Sequence, residues 1–282
     1  MDAPAPTREG LSGDAPSPVT GELRLGFARR AGATRLVDSF QSGCLRARMP
    51  RTAADQDPCL VLINTGGGVT GGDRLRQSID WESGSRACVA TQAAEKVYRS
   101  SGQDVVIDTR LRVMGEAVAE WLPQETIIFD RARLKRTTEV ALDGDASFLG
   151  LEMTVLGRAA MGETVSHASL RDRWKIFRDG RLVYADAQRL IGPVDQLMDR
   201  AAIGAGARAM GVLIHVALGA TAALGAVRDA MAGARGRVAA SAWNGLLVAR
   251  FLAPEGQTLK HDVAPVLAAL RGGRPLPRVW TC

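Results

Sequence analysis

The stretch Cys59-Leu60-Val61-Leu62-Ile63-Asn64-Thr65-Gly66-Gly67-Gly68-Val69-Thr70-Gly71-Gly72-Asp73 constrains the fold more than any other part of the chain. An apolar, strand-like run leads into a cluster of glycines. Beyond the cluster comes Arg74-Leu75-Arg76-Gln77-Ser78-Ile79-Asp80-Trp81, where Leu75, Ile79 and Trp81 fall on one face of an extended chain and charges on the other. The glycines therefore join strand to strand. Gly66, Gly68 and Gly71 satisfy the GxGxxG spacing of a dinucleotide site, but that spacing works where the last glycine opens a helix whose N-terminus holds the pyrophosphate. A period-two run stands there instead, so the confirming context is missing. No Gly-Lys-Ser/Thr comes after it, which excludes a phosphate P-loop. A glycine-rich turn between strands is the simpler reading, and a nucleotide-dependent enzyme using the Gly66–Asp73 loop is the alternative. Asp73 either caps this turn or presents a carboxylate at a functional edge.

Most of the chain from residue 20 to 190 continues in the same style. Gly84 ends the first run, and Ala87-Cys88-Val89-Ala90-Thr91 reads as its return strand. Residues 104–114 and 126–130 are rich in β-branched and large apolar types. Two strand-like runs flank Asp179-Gly180, the pair favoured by a two-residue type I′ hairpin. The last third changes character. Asp195 to Arg208 is Ala-rich and predicts a helix, Gly211 to Leu218 a buried strand, and Ala222 to Ala232 a second helix. Residues 237–252 predict two strands around Asn244-Gly245, and 258–271 a final helix ending at Gly272-Gly273. The expected fold is mainly β, a many-stranded, sheet-rich single domain over 19–282 with a few α-helices in the C-terminal third. No repeat of fixed period is visible. Residues 1–18, with Pro4, Pro6, Pro16 and Pro18 among Ala, Ser, Gly and Asp, cannot supply a packed core and are expected to form a disordered tail.

Composition removes several function classes. A chain of 282 residues, 46% hydrophobic, buries a core without disulfides or a structural metal. Cys44, Cys59, Cys88 and Cys282 are irregularly spaced with no CxxC, and no apolar leader opens the chain, so reduced thiols in the cytoplasm are expected. The longest apolar stretch, Val212 to Val227, is interrupted by His215, Gly219, Thr221 and Gly225 and falls short of the ~20 residues of a membrane helix. The net charge of +6 comes mostly from Arg, with no basic block and no aromatic–basic interleaving, so neither nucleic acid nor membrane is an expected partner.

Five ordered blocks carry a family resemblance. Asn64 to Asp73, with its Gly-Gly-Gly-Val-Thr-Gly-Gly-Asp core, resembles the glycine signature of UreD-type (also UreH) urease accessory proteins. Thr91-Gln92-Ala93-Ala94-Glu95-Lys96-Val97-Tyr98-Arg99-Ser100 and Glu120-Trp121-Leu122-Pro123-Gln124-Glu125-Thr126-Ile127-Ile128-Phe129 are similar to that family's next two blocks. Leu156-Gly157-Arg158-Ala159-Ala160-Met161-Gly162-Glu163 and Leu276-Pro277-Arg278-Val279-Trp280 match in order after them. At Gly66 the pattern departs, since the family often carries Pro or Ala there. The resemblance implies a mainly β, non-catalytic maturation scaffold that binds apo-urease. It also implies partnership with UreF and the GTPase UreG in carrying nickel, and an internal channel as a route for it.

The residues read by themselves fit a protein that holds nickel weakly or not at all. Transfer needs exchangeable ligands, and His167, His215 and His261 are widely separated, with no HxxxH or HxH. No cofactor is expected beyond transient Ni²⁺. His215 sits in an apolar strand and reads as a core histidine bonded to backbone. Among the carboxylates Asp73, Glu95, Glu125, Asp130, Glu152 and Glu163, the two beside flexible glycines, Asp73 and Glu163, stand first as metal-path candidates. Each has a structural alternative, a turn cap or a pair with a nearby Arg such as Arg74, Arg99, Arg131 or Arg158. Lys96, Tyr98 and Arg99 alternate, with Lys96 and Tyr98 on one strand face and Arg99 opposite. They fit a partner site and equally a solvated edge strand. No GxSxG and no nucleophile–histidine arrangement is present, so no catalytic residue is assigned.

Overall fold

The computed structural model describes residues 17–50, 56–158 and 161–280. Most of the sequence expected to form a tail therefore lies outside the described residues, as does Cys282. The fold is mainly β, at 53% strand and 14% helix. In chain order the strands are β1 (Thr20–Arg30), β2 (Ala33–Gly43), β3 (Leu45–Arg48), β4 (Cys59–Asn64), β5 (Arg74–Trp81), β6 (Arg86–Thr91), β7 (Glu95–Val97) and β8 (Val105–Val113). After these come β9 (Val118–Leu122), β10 (Thr126–Ile128), β11 (Arg133–Leu142), β12 (Ser147–Leu156), β13 (His167–Arg178) and β14 (Arg181–Pro193). The last third holds α1 (Val194–Asp199), β15 (Ala209–Val216), α2 (Leu224–Ala230), β16 (Arg237–Trp243), β17 (Leu246–Ala253) and α3 (Gly256–Leu270).

These strands form two stacked sheets. One has the order β14-β13-β11-β8-β5-β1-β2, and the other β16-β17-β15-β12-β9-β6-β4-β3, with β7 and β10 joined to its β12 side. Between β4 and β13 the chain passes back and forth between the sheets, so neighbours within a sheet run parallel. Arg74 lies beside Val106, Val105 beside Leu134, and Arg133 beside Ser169. In the facing sheet Cys59 lies beside Cys88, Arg86 beside Val118, and Val118 beside Ser147. The result is a coil of roughly thirty residues per turn, in the range of solenoid repeats. Its period is hidden in the sequence because equivalent positions differ: Leu75, Ile107, Arg136 and Asp172 share one row.

That topology corrects the reading of Ala87–Thr91 as a return strand. β6 lies in the sheet facing β5 and pairs with β4 and β9. The turn after Trp81 carries the chain across the core, and Trp81 Nε1 donates to the Ala87 carbonyl at 3.1 Å to seal the crossing. The predicted helix over Asp195–Arg208 is also shorter than expected. It ends at Asp199, where Arg200 turns extended (ψ 129°), and a side chain at Gly204 would collide with the Met198 carbonyl. Both hairpins form as the sequence predicts: Asp179 and Gly180 have φ of 50° and 74°, and Asn244 and Gly245 have 45° and 75°. These are the left-handed pairs a type I′ turn requires.

Two apolar cores result. Leu60, Leu75, Ile79, Trp81, Val89, Leu111, Trp121, Phe148 and Ile176 fill the space between the sheets. On the far side of the ten-stranded sheet, Leu122, Leu151, Met153, Leu213 and Phe251 pack under Val227 of α2 and Leu259, Val263 and Leu267 of α3. Past α3 the chain is clasped back onto the sheet. Glu120, 3% exposed, receives Arg271 Nη2 at 3.0 Å and Arg274 Nη2 at 2.7 Å, and Arg274 Nη1 also reaches Asp57 at 2.9 Å. Trp280 Nε1 donates to the Leu122 carbonyl at 3.1 Å, and Gln124 Nε2 to that of Val279 at 2.7 Å. Among the described residues no helix is long and apolar enough to cross a membrane.

Candidate functional site

The glycine segment packs against β7. Val69 N donates to the Lys96 carbonyl and Tyr98 N to that of Val69, both at 2.8 Å. A side chain at Gly68 (φ 145°) would come within 2.8 Å of the Lys96 oxygen, so only glycine lets the two strands approach. Asp73 caps the turn from inside: it is 2% exposed and its two oxygens accept the amides of Val19 and Thr70, each at 2.7 Å.

Lys96 and Tyr98 share the outer face as predicted. The strand ends at Val97, so Arg99 is exposed too rather than turned inward. The Tyr98 ring lies 4.9 Å from that of Phe129, and its hydroxyl donates to the Gly67 carbonyl at 3.2 Å. On Phe129 rests the Arg158 guanidinium at 4.5 Å, and Arg158 pairs with Glu163 at 2.9 Å. Phe129 thus brings Glu163 onto one surface with the Lys96–Arg99 segment, whereas Asp73 is held by backbone. The other carboxylates have partners: Glu95 accepts from Asn64 Nδ2 at 3.1 Å, Glu125 pairs with Lys260 at 3.0 Å, and Asp130 accepts from Ser166 Oγ at 2.9 Å. His167 and His261 are exposed, and His215 Nδ1 lies 3.2 Å from the Phe148 carbonyl, with burial lowering its pKa. Among the described residues no three His, Cys, Asp or Glu side chains form a group able to hold a metal ion.

The densest charge lies between the sheets, where Glu152, one of the carboxylates the sequence singles out, meets Arg136 and Asp172, which it does not. Arg136 of β11 is 5% exposed and stands beside Asp172 of β13 in the ladder, while Glu152 reaches across from β12. Arg136 Nη1 meets Glu152 Oε1 at 2.6 Å and donates to Thr126 Oγ1 at 2.8 Å; Nη2 meets Asp172 Oδ2 at 2.6 Å. One guanidinium thus serves two buried carboxylates. Burial pushes the Glu152 carboxyl up to about 8, with Arg136 opposing the rise and Asp172 adding to it. Asp172 Oδ1 and Arg136 Nε have no hydrogen-bond partner among the described residues. A cleft of about 240 Å³ borders this cluster, lined by Glu152, Asp172, Asp186, Gln188 and Arg250 among others. Gln77, Thr109 and Thr138 continue the polar character along the next row of the inner face. Gln77 in turn lines a second cleft, of about 230 Å³, beside Asn64, Gly68 and Glu95. The signal was legible in one respect. Leu134, Arg136, Thr138, Val140 and Leu142 keep a single period-two phase, which places Arg136 on the buried face.

The comparisons agree over nearly the whole chain. The family model described as UreD urease accessory protein matches residues 19–281. A urease accessory protein UreD of Azorhizobium caulinodans is 46% identical over 264 residues, covering 93% of this chain and 96% of that one. A urease accessory protein UreD 2 of Methylorubrum populi is 48% identical over 280 residues, covering 95% and 94%. A UreD of Rhizobium leguminosarum bv. viciae is 45% identical over 249 residues, covering 88% and 90%. With the family model spanning the coil and its C-terminal clasp and these relatives covering most of the chain, the chain belongs to the UreD urease accessory protein family.

Proposed function

We propose that this chain is a urease maturation factor, a cytoplasmic, non-catalytic scaffold that binds apo-urease and, with UreF and the GTPase UreG, assists delivery of Ni²⁺ to the urease active site. The observation that carries this reading is the match to the UreD family from residue 19 to 281. The surface around Lys96, Tyr98, Arg99 and Phe129 is our candidate for partner contact, with Glu163 at its margin. The polar interior supports a route for the cargo: Glu152 and Asp172 are oxygen donors of the exchangeable kind a transferred cation needs. Asp73 is a weaker candidate for that path, since both of its oxygens already accept backbone amides.

Deleting the gene in a host that carries the urease operon tests the reading. Urease that is intact, inactive and poor in nickel is the expected outcome, restored by the wild-type gene. Full activity with normal nickel content would overturn it.

A further inference from the structure

The outer face of the ten-stranded sheet carries a row fixed by register. Cys59 of β4 stands beside Cys88 of β6, and Cys88 beside Glu120 of β9. Parallel neighbours of this kind are about 4.8 Å apart, inside the ~4.4–6.8 Å that a disulfide spans between Cα atoms. Both thiols are free and point the same way, toward the core under α3, while their chain neighbours Leu60 and Val89 point into the core between the sheets. Each thiol perturbs the ionisation of the other. The two are not equivalent: Cys88 is buried at 3% exposure, and Cys59 is only partly covered. The Arg271 guanidinium, drawn in by Glu120, acts electrostatically on both.

We propose that Cys59 and Cys88 form a peroxide-reactive dithiol that closes to an intramolecular disulfide between β4 and β6. Cys59 is the attacking thiol and Cys88 the resolving one. The neighbouring Cys88 holds the Cys59 thiol below its ordinary range despite burial, with Arg271 adding to the effect; the proximity of Cys59, with burial, pushes Cys88 well up. In the first step the Cys59 thiolate attacks a hydroperoxide oxygen. The S–O bond forms, the O–O bond breaks, and the leaving alkoxide or hydroxide takes the proton that Cys59 gave up. In the second, Cys88 sulfur attacks Cys59 sulfur; the S–S bond forms, the S–O bond breaks, and water leaves with the Cys88 proton. Two thiols are oxidised, and the hydroperoxide is reduced to an alcohol, or to water, with a further water released. This site is separate from the interior polar cluster and independent of any nickel route.

The test is peptide mass mapping of the purified full chain after treatment with equimolar hydrogen peroxide. The expected product is one Cys59–Cys88 cross-linked pair, lighter by two hydrogen atoms and reopened by dithiothreitol. Cys44, whose thiol burial pushes up, stays open to alkylation after denaturation. In Cys88→Ala, Cys59 should accumulate as a sulfenic acid trapped by dimedone; in Cys59→Ser, Cys88 should remain unmodified. Oxidation of Cys44 as fast as Cys59, reaction of Cys88 without Cys59, or persistence of both thiols under peroxide that consumes free cysteine would each overturn the proposal.

Discussion

The ten-stranded sheet carries a charged cluster on each face, and the two are built with opposite balance. On the inner face one guanidinium, Arg136, is shared by two carboxylates, all of them buried. On the outer face one carboxylate, Glu120, is shared by two guanidiniums, and the second of these, Arg274, is 36% exposed by side chain and also reaches Asp57. The bonds are of the same kind; the access to water is not. An enclosed cluster settles its surplus charge internally, and here burial shifts Glu152 toward its protonated form. The open cluster leaves its surplus to solvent and to a neighbour at the rim. The inner cluster joins the two sheets, and the outer one fastens a terminal segment.

The largest effect should come from Arg136→Met, which strands two carboxylates between the sheets. We expect a loss of about 3–5 kcal/mol in urea unfolding, greater at alkaline pH, and a loss under about 1 kcal/mol would show that the pair of sheets does not depend on this ion cluster. Glu120→Gln should cost less, about 2–3 kcal/mol, because Arg274 can turn to water. Equal losses in the two variants would break the comparison.

The pH response sharpens it further. The Glu152 carboxyl is raised from an ordinary 4.5 to about 8 in the folded chain. Folded protein therefore holds a proton that unfolded protein has released, and the associated stability, complete below about 4.5, is lost as pH rises through about 8. Unfolding free energy should fall by at most about 1.4 kcal/mol per pH unit across that window. Glu152→Gln, which keeps the protonated shape without the titration, should flatten the slope; an unchanged slope would assign the titration elsewhere. The smallest effect is expected from Glu163→Ala. Its partner Arg158 is 46% exposed by side chain, so thermal or urea unfolding should shift by less than ~1 kcal/mol.

The alternating runs and the paired turn residues made the fold class legible. Period-two burial at Leu75, Ile79 and Trp81, the two left-handed turn pairs, and a helix stopped by Gly272-Gly273 all appear where the sequence places them. Pairing was not legible, for a physical reason. Alternation states which face of a strand is buried but not which strand lies alongside, and in this coil the neighbour comes one turn later, after the chain has visited the facing sheet. The candidate site suffered from the same gap. Asp73 and Glu163 drew notice because they adjoin glycines, yet one caps a turn and the other forms a surface pair. Arg136 and Asp172 become neighbours only through register, and Glu120 meets Arg271 only through the long return of the chain past α3.

A coil of parallel rungs has no length of its own; each face can accept another rung, and copies laid end to end would extend it into a fibre. In this molecule both ends of the seven-stranded sheet are closed by strands of reversed direction, β2 against β1 and β14 against β13. The facing sheet is closed the same way by β3 against β4 and by the antiparallel β15, β17 and β16. An incoming copy would meet a reversed hairpin strand, not another rung of the coil, at each terminus. The hairpins thus act as a ruler, setting the turn at which the coil of parallel rungs stops.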